Sequence, residues 1–215
     1  MRSFRHWTPR YIYSRIGLFL YQKRHPDYPW LTKQAIQLLD KLLGPADIGL
    51  EWGSGKSTLW FARRVGHLTS VEHDFAWYAN NSTRIRGAGL ANVTYLFCEV
   101  KGEDEQYQRE VNSPYVNVVD RFSENSLDFA LVDGMFRSEC AYQVQKKIRP
   151  GGILVVDNAN WFLPCVSFAP NSRSIESGPA SAQWALFITL VAGWRCIWTT
   201  NGDFDTAIWI KPFQT

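Results

Sequence analysis

Apolar side chains at Ile12, Ile16, Phe19 and Leu20 recur at helical spacing within an otherwise basic segment, which predicts a helix over 9–24. His25-Pro26-Asp27-Tyr28-Pro29 breaks that pattern. Thr32 then stands where an N-cap belongs, ahead of Ile36, Leu39, Leu42 and Leu43 on one helical face, and Gly44-Pro45 stops the second helix. From Ile48 the pattern changes. Short apolar runs predict strands over 48–52, 67–72, 93–98, 127–132 and 153–157. Helices are expected between them over 56–65, from Asp74 toward Arg86, and over 138–148, with Arg149-Pro150-Gly151-Gly152 as a turn. A further helix is expected over 180–192. The chain then reads as a hairpin, 196–200 with 206–211, around Asn201-Gly202-Asp203.

Strands alternating with helices imply an α/β fold with a doubly wound, mostly parallel sheet, closed by an antiparallel C-terminal hairpin. The N-terminal helices, residues 1–45, are expected as an extension that packs on or caps the main domain, 46–215. Two segments fall outside the alternation: a charged loop, Lys101 to Glu110, and a long polar stretch, Phe162 to Ser181. Loops of the second kind are often lids over binding sites.

Composition narrows the reading. With 215 residues and 46% hydrophobic content, the chain can bury one substantial core. A net charge of only +3 argues against a protein built to grip nucleic acid, and none is expected as partner. The excess is local: Arg2, Arg5, Arg10, Arg15, Lys23 and Arg24 all precede Asp27. A solvated helix face is the ordinary meaning of such a run, with an acidic substrate or a membrane surface as alternatives. Cys98, Cys140, Cys165 and Cys196 form no Cys-x-x-Cys pair, and Cys98 and Cys196 sit in apolar runs as small hydrophobes. The apolar run at 16–21 is too short to span a membrane and lacks a signal-peptide cleavage pattern, so a cytoplasmic setting is expected.

The stretch that carries chemistry is 49–60, GLEWGSGKSTLW. A triphosphate loop requires Gly, four residues, then Gly-Lys-Ser/Thr. Counting back from Gly55, that glycine falls on Leu50, and Glu51 would bring a carboxylate toward phosphate. As the end of a first strand, Glu51-x-Gly53-x-Gly55 makes better sense. Its glycines permit a tight turn and close backbone approach to a ligand. Glu72, ending the second strand about twenty residues on, stands where a carboxylate accepts both ribose hydroxyls of an adenosine. An adenosine with a cationic tail suits this loop better than a nucleotide.

Glu51-Trp52-Gly53-Ser54-Gly55, Val71-Glu72-His73, Leu131-Val132-Asp133-Gly134, Pro150-Gly151-Gly152 and the strand ending in Asp157-Asn158 together resemble the class I, Rossmann-like S-adenosylmethionine-dependent methyltransferases, over roughly 48–212. The resemblance implies that Glu51, Gly53, Ser54 and Gly55 face the methionine end of S-adenosylmethionine. Ser57 and Thr58 would donate to its carboxylate, Glu72 would hold the ribose, and His73 and Glu99 would lie against the adenine. Asp133 would approach the methionine tail or the reacting centre. Each of Glu72, His73 and Glu99 could instead be an ordinary loop residue. Catalytic roles are expected for Asp133, Arg137 and Asp157, and acceptor contacts for Arg137, Asn158 and Trp161, with Glu139 beside them. Arg137 could equally cap its own helix or pair with Glu139.

Asp133, Asp157 and Asn158 also resemble the divalent-cation site of the catechol and caffeoyl-CoA O-methyltransferases, which implies magnesium or calcium on all-oxygen ligands. One departure stands out: those enzymes carry lysine three residues after the first Asp, and here that place is Phe136. The activity so implied is methyl transfer to a small polar molecule, acidic or sugar-containing, at oxygen. The alternatives are an ATP- or GTP-binding protein using Lys56-Ser57, and a non-catalytic partner protein on the same fold.

Overall fold

The computed structural model describes residues 8–100 and 113–213; the charged loop at 101–110 and the basic residues Arg2 and Arg5 lie outside them. The elements run α1 (Pro9–Arg24), α2 (Lys33–Leu42), β1 (Ile48–Trp52), α3 (Lys56–Ala62), β2 (His67–Glu72), α4 (Phe75–Gly87), β3 (Val93–Phe97), α5 (Pro114–Asn117), β4 (Leu127–Val132), α6 (Arg137–Val144), β5 (Ile148–Asp157), α7 (Ala159–Phe162), α8 (Ala182–Leu190), β6 (Arg195–Thr200) and β7 (Asp205–Ile210). A 3-10 turn at Val118–Arg121 extends α5.

Seven strands form one sheet in the order β3-β2-β1-β4-β5-β7-β6. Strands β1 to β5 are parallel, and β7 pairs antiparallel with both β5 and β6. The chain leaves β1 toward one edge and returns at β4 toward the other. Such a switch point opens a crevice at the carboxyl ends of the strands.

Alternate side chains of the central strands enter two separate cores. Leu50, Trp52, Ala130, Val132, Leu154 and Val156 meet Tyr115, Cys140, Trp184 and Phe187 on one face. Phe129, Leu131, Ile153 and Val155 meet Ile36, Leu39, Trp60 and Phe61 on the other. This double burial explains why the strands read as near-continuous apolar runs. Helix α2 belongs to the second core, and its cap Thr32 ties it to the terminal hairpin: Thr32 Oγ1 accepts from Ala35 N, while Thr32 N donates to Thr206 Oγ1 at 3.1 Å.

Helix α1 departs from its apolar pattern. Ile12, Ile16, Phe19 and Leu20 are exposed, and none of its residues is buried. Its half-buried side is Tyr11, Ser14, Leu18, Tyr21 and Gln22. Two ties anchor it elsewhere: Arg15 pairs with Asp203 in the β6–β7 turn, and the Arg10 guanidinium lies 4.6 Å from the centre of the Phe168 ring.

Three other boundaries differ from expectation. Helix α6 ends at Val144, and β5 begins at Ile148, running through the residues read as a turn. Leu127 pairs with Ile148 but Phe129 with Ile153, so Arg149-Pro150-Gly151-Gly152 form a bulge inside a strand. Helix α3 stops at Ala62, short of Val65. The four cysteines are free, and Cys196 is exposed on edge strand β6, not enclosed as a small hydrophobe. No described helix is long and apolar enough to cross a membrane.

Candidate functional site

Beyond the carboxyl ends of β1, β2, β4 and β5 lies a cavity of about 1140 Å³. Its floor is the β1–α3 turn, Gly53 to Ser57. Glu72, His73 and Asp74 form one side, and Asp133, Gly134, Arg137, Asp157 and Asn158 the other. Helix α1 covers it with Arg15, Leu18, Phe19 and Gln22, joined by Trp30, Asp203 and Phe204.

The floor requires two glycines. Gly53 has φ +90°, and a Cβ there would meet Asp133 O at 2.7 Å. A Cβ on Gly134 would meet the Tyr115 hydroxyl at 1.9 Å and Gly53 N at 2.9 Å. The turns after β1 and β4 therefore pack backbone against backbone. Gly53 N donates to Val71 O and Asp133 N to Trp52 O, both at 3.0 Å, which fixes the three strand ends together.

Glu72 organises the adjoining wall. Its Oε2 accepts from Ser54 N at 3.2 Å and Ser54 Oγ at 2.6 Å, and its Oε1 from His73 N at 2.8 Å and Asp74 N at 3.0 Å. Burial pushes its carboxyl upward, but these bonds and the His73 ring outweigh that, and its pKa lies below the ordinary value. The imidazole of His73 sets Nδ1 3.0 Å from Glu72 Oε1 and meets the Tyr115 ring edge-on at 5.8 Å. Trp77, in the first turn of α4, donates from its indole to Ser54 O at 2.6 Å and covers the turn.

Several solved structures that share this fold are described as methyltransferases. A methyltransferase-like protein from Silicibacter pomeroyi superposes with TM-score 0.59 at 20% identity, covering 87% of this chain and 90% of that one. An rRNA methylase from Streptococcus thermophilus gives 0.53 at 11% identity, over 84% and 95%. A SAM-dependent methyltransferase from Aquifex aeolicus gives 0.50 at 14% identity, over 87% and 95%. The chain has the class I methyltransferase fold. No protein-family model and no curated protein sequence matches it.

Within this methyltransferase fold Gly53, Ser54, Gly55, Ser57, Glu72, His73, Asp133, Arg137, Asp157 and Asn158, all singled out in the sequence, line the cavity. Five expected residues do not. Glu51 is wholly buried beneath the turn, where its Oε2 accepts from Thr58 Oγ1 at 2.6 Å and Ser70 Oγ at 2.7 Å. Thr58 is buried with it and also accepts from Gly55 N at 3.1 Å. The pair braces the turn from below and does not reach the cavity. Glu99 is exposed beyond β3, away from the cavity wall. Trp161 is 41% exposed, because the short α7 turns it outward while Phe162 stacks on Trp184, 5.4 Å between ring centres. Glu139 is likewise absent from the wall and accepts from Ser138 Oγ at 2.6 Å.

Burial raises Glu51 to about 7, against the lowering effect of its hydroxyl partners, and its Oε1 has no partner. A carboxyl raised above its unfolded value stabilises the fold fully below about 4.5 and loses that contribution as pH rises through about 7. Glu51→Gln keeps an acceptor for Thr58 and Ser70 and cannot ionise. The variant is expected to lose less stability than the parent between pH 5 and 8, by about 3 kcal/mol, in urea melts at the two pH values.

On the other wall, burial pushes Asp133 up to about 6 against the pull of Arg137, although a quarter of its side chain meets the cavity. Asp157 is 3% exposed and accepts from Thr206 Oγ1 at 2.6 Å; burial and then the neighbouring Asp133 raise it far above the ordinary carboxylate range. Arg137 lies between the two acids. Its Nε donates to Gly134 O at 3.0 Å, Nη1 to Asp157 O at 2.6 Å and Asn158 Oδ1 at 2.9 Å, and Nη2 to Asp133 O at 3.0 Å. Nη2 also pairs with Asp133 Oδ1 at 2.9 Å.

This arrangement does not fit the implied divalent cation. Asp133 and Asn158 already face a guanidinium, and Asp157 turns its carboxyl to Thr206. Among the described residues, no group of three or more His, Cys, Asp and Glu side chains could hold a metal.

The long loop also differs from its expected place. Residues 166–169 line a second hollow on the far side of α1, beside Thr200, Asn201 and Gly202. The loop is held by Asn160, which accepts from Asp205 N and donates to Ser172 Oγ, and by Arg173, which donates to Gly178 O and Ser177 O. The cover over the main cavity is α1 instead. Arg15, Trp30, Trp77, Asn80, Arg84, Asp203 and Phe204 are wall residues that sequence reasoning did not single out. For Trp77 a signal existed: it stands one turn beyond Asp74, the helix cap that directly follows Val71-Glu72-His73.

Proposed function

We propose that this chain transfers a methyl group from S-adenosylmethionine to an oxygen of a small polar acceptor. The observation that carries the reading is the cavity over the Gly53–Gly55 turn, walled by the carboxylates of Glu72 and Asp133. Those charges suit a sulfonium and an ammonium and repel a triphosphate. Its volume, about 1140 Å³, exceeds the roughly 300–1,000 Å³ usual for one ligand, leaving room for cofactor and acceptor together. The glycine turn supplies the close backbone approach that the methionine portion requires.

When bound, S-adenosylmethionine supplies an electrophilic methyl carbon, and the chain supplies position and a proton acceptor. Glu72 holds the ribose hydroxyls, exchanging its Ser54 Oγ bond for them, while His73 and Trp77 flank the adenosine. Asp133, raised toward 6, is ionised at pH 7 yet basic enough to take the acceptor's hydroxyl proton. Burial and the neighbouring Asp133 favour the neutral form of Asp157, which limits a second negative charge beside it. Phe19, Trp30 and Phe204 give the acceptor apolar contact, and Gln22 and Asn158 offer it hydrogen bonds. No step runs through a metal ion.

Calorimetry is expected to show S-adenosylmethionine binding in the micromolar range with no heat from ATP or GTP. Heat protection by ATP with none from S-adenosylmethionine would establish the nucleotide-binding alternative instead. Incubating the enzyme and cofactor with a metabolite extract should produce a small molecule heavier by one methyl group. Methylation of RNA alone would replace the acceptor class, and cofactor binding without any turnover would favour a non-catalytic partner protein.

A further inference from the structure

We propose that Arg137 is a built-in cation: its guanidinium occupies the centre of an oxygen cluster and holds the ends of β4 and β5 together, as a divalent ion would. Five oxygens surround it, from Asp133, Gly134, Asp157 and Asn158, and they engage Nε, Nη1 and Nη2 alike. A guanidinium has five N–H groups. Four make hydrogen bonds and the fifth faces Asp133 Oδ1, so none is left over for a substrate carboxylate or phosphate. Arg137 is thus a positioning residue, not an acceptor-binding one.

The backbone around it supports the assignment. Phe136 and Asn158, at the turns after β4 and β5, both have left-handed conformations, with φ 48° and 51°. Non-glycine residues adopt that geometry at a cost and persist there when surrounding structure over-determines them. Three of the five oxygens are backbone carbonyls of those turns, aimed at one point and bridged by one side chain. The Phe162 ring, 5.8 Å from the guanidinium, closes the remaining side. Carbonyl, amide and carboxylate oxygens are also the donors that magnesium, calcium or manganese takes, so the cluster is a cation site filled from within.

Removing the arginine should therefore create a metal site. Wild-type protein is expected to leave the Mn²⁺ resonance signal unchanged and to melt at the same temperature in MgCl₂, MnCl₂ or EDTA. Arg137→Ala should melt roughly 10 °C lower, because buried oxygens lose their cation. Millimolar Mn²⁺ should restore most of that loss, whereas KCl at equal ionic strength should not. Arg137→Lys, which retains the charge but not the fork, should melt between the two and gain little from Mn²⁺. Adding Asp133→Asn to Arg137→Ala should abolish the Mn²⁺ effect. Tight Mn²⁺ binding by the wild type that Asp133→Asn removes would overturn the proposal, as would an Arg137→Ala protein that melts normally. If Arg137→Ala does not fold, the wild-type resonance titration and the melting of Arg137→Lys in Mn²⁺ still decide between the two outcomes. These readouts use no methyl donor, so they stand or fall separately from methyl transfer.

Discussion

Asp133→Asn is expected to lower kcat by roughly 10²–10⁴-fold, the range for losing a positioned general base, with the dissociation constant of S-adenosylmethionine changed only a few-fold. Asparagine keeps an oxygen for Arg137 and the same shape but cannot take a proton. The wild-type rate should rise with pH through about 6, as Asp133 ionises, and level off above it. The variant's residual rate should lack that rise. Steady-state kinetics between pH 5 and 8, paired with calorimetry, reads both effects. A normal kcat with greatly weakened cofactor binding would move Asp133 from the acceptor's proton to the methionine tail.

Glu72→Ala is expected to weaken S-adenosylmethionine binding about 100-fold, the scale of losing two hydrogen bonds to a charged acceptor. The same change leaves Ser54 N, His73 N and Asp74 N without their acceptor. The melting temperature should fall as well, by roughly 4–8 °C, moderated because the cavity admits water to these groups. Calorimetry well below the melting transition keeps binding distinct from folding. Unchanged affinity there would remove the ribose assignment.

The fold was legible where burial repeats locally. Ala130, Leu131, Leu154 and Val155 lie inside strands with near-continuous apolar runs, because the sheet is covered on both faces. Thr32 and Asp74 announced their helices through side chains that accept from Ala35 N and Trp77 N. Arg149 to Gly152 misled for a physical reason: proline and glycine signal a turn equally well when they form a bulge within a strand. Residues 114–121 escaped notice because their helical turns are short, although Ser113 caps them and Tyr115 and Val116 are fully buried.

The site was legible along the parallel strand ends, since topology alone aims Glu72, Asp133 and Asp157 at one crevice. Depth was not. A motif places Glu51 two residues before the turn, but only the packing of Thr58 and Ser70 shows that its carboxyl points beneath the floor. Partners distant in sequence were equally hidden. Nothing near Arg137 discloses that Asn158, in the turn after β5, will occupy its Nη1.

Helix α1 has no fully buried side chain, yet it supplies much of the roof over the cavity. Apart from Tyr21, which packs against the core, its residues contribute little to the stability of the sheet below. Substitutions at Leu18, Phe19 or Gln22 can redraw the shape of that roof at little thermodynamic penalty, whereas equal changes at Trp52 or Leu131 would unfold the chain. Under the proposed methyl transfer, a lineage could exchange one acceptor for another by rewriting this sixteen-residue helix and leaving the cavity floor untouched.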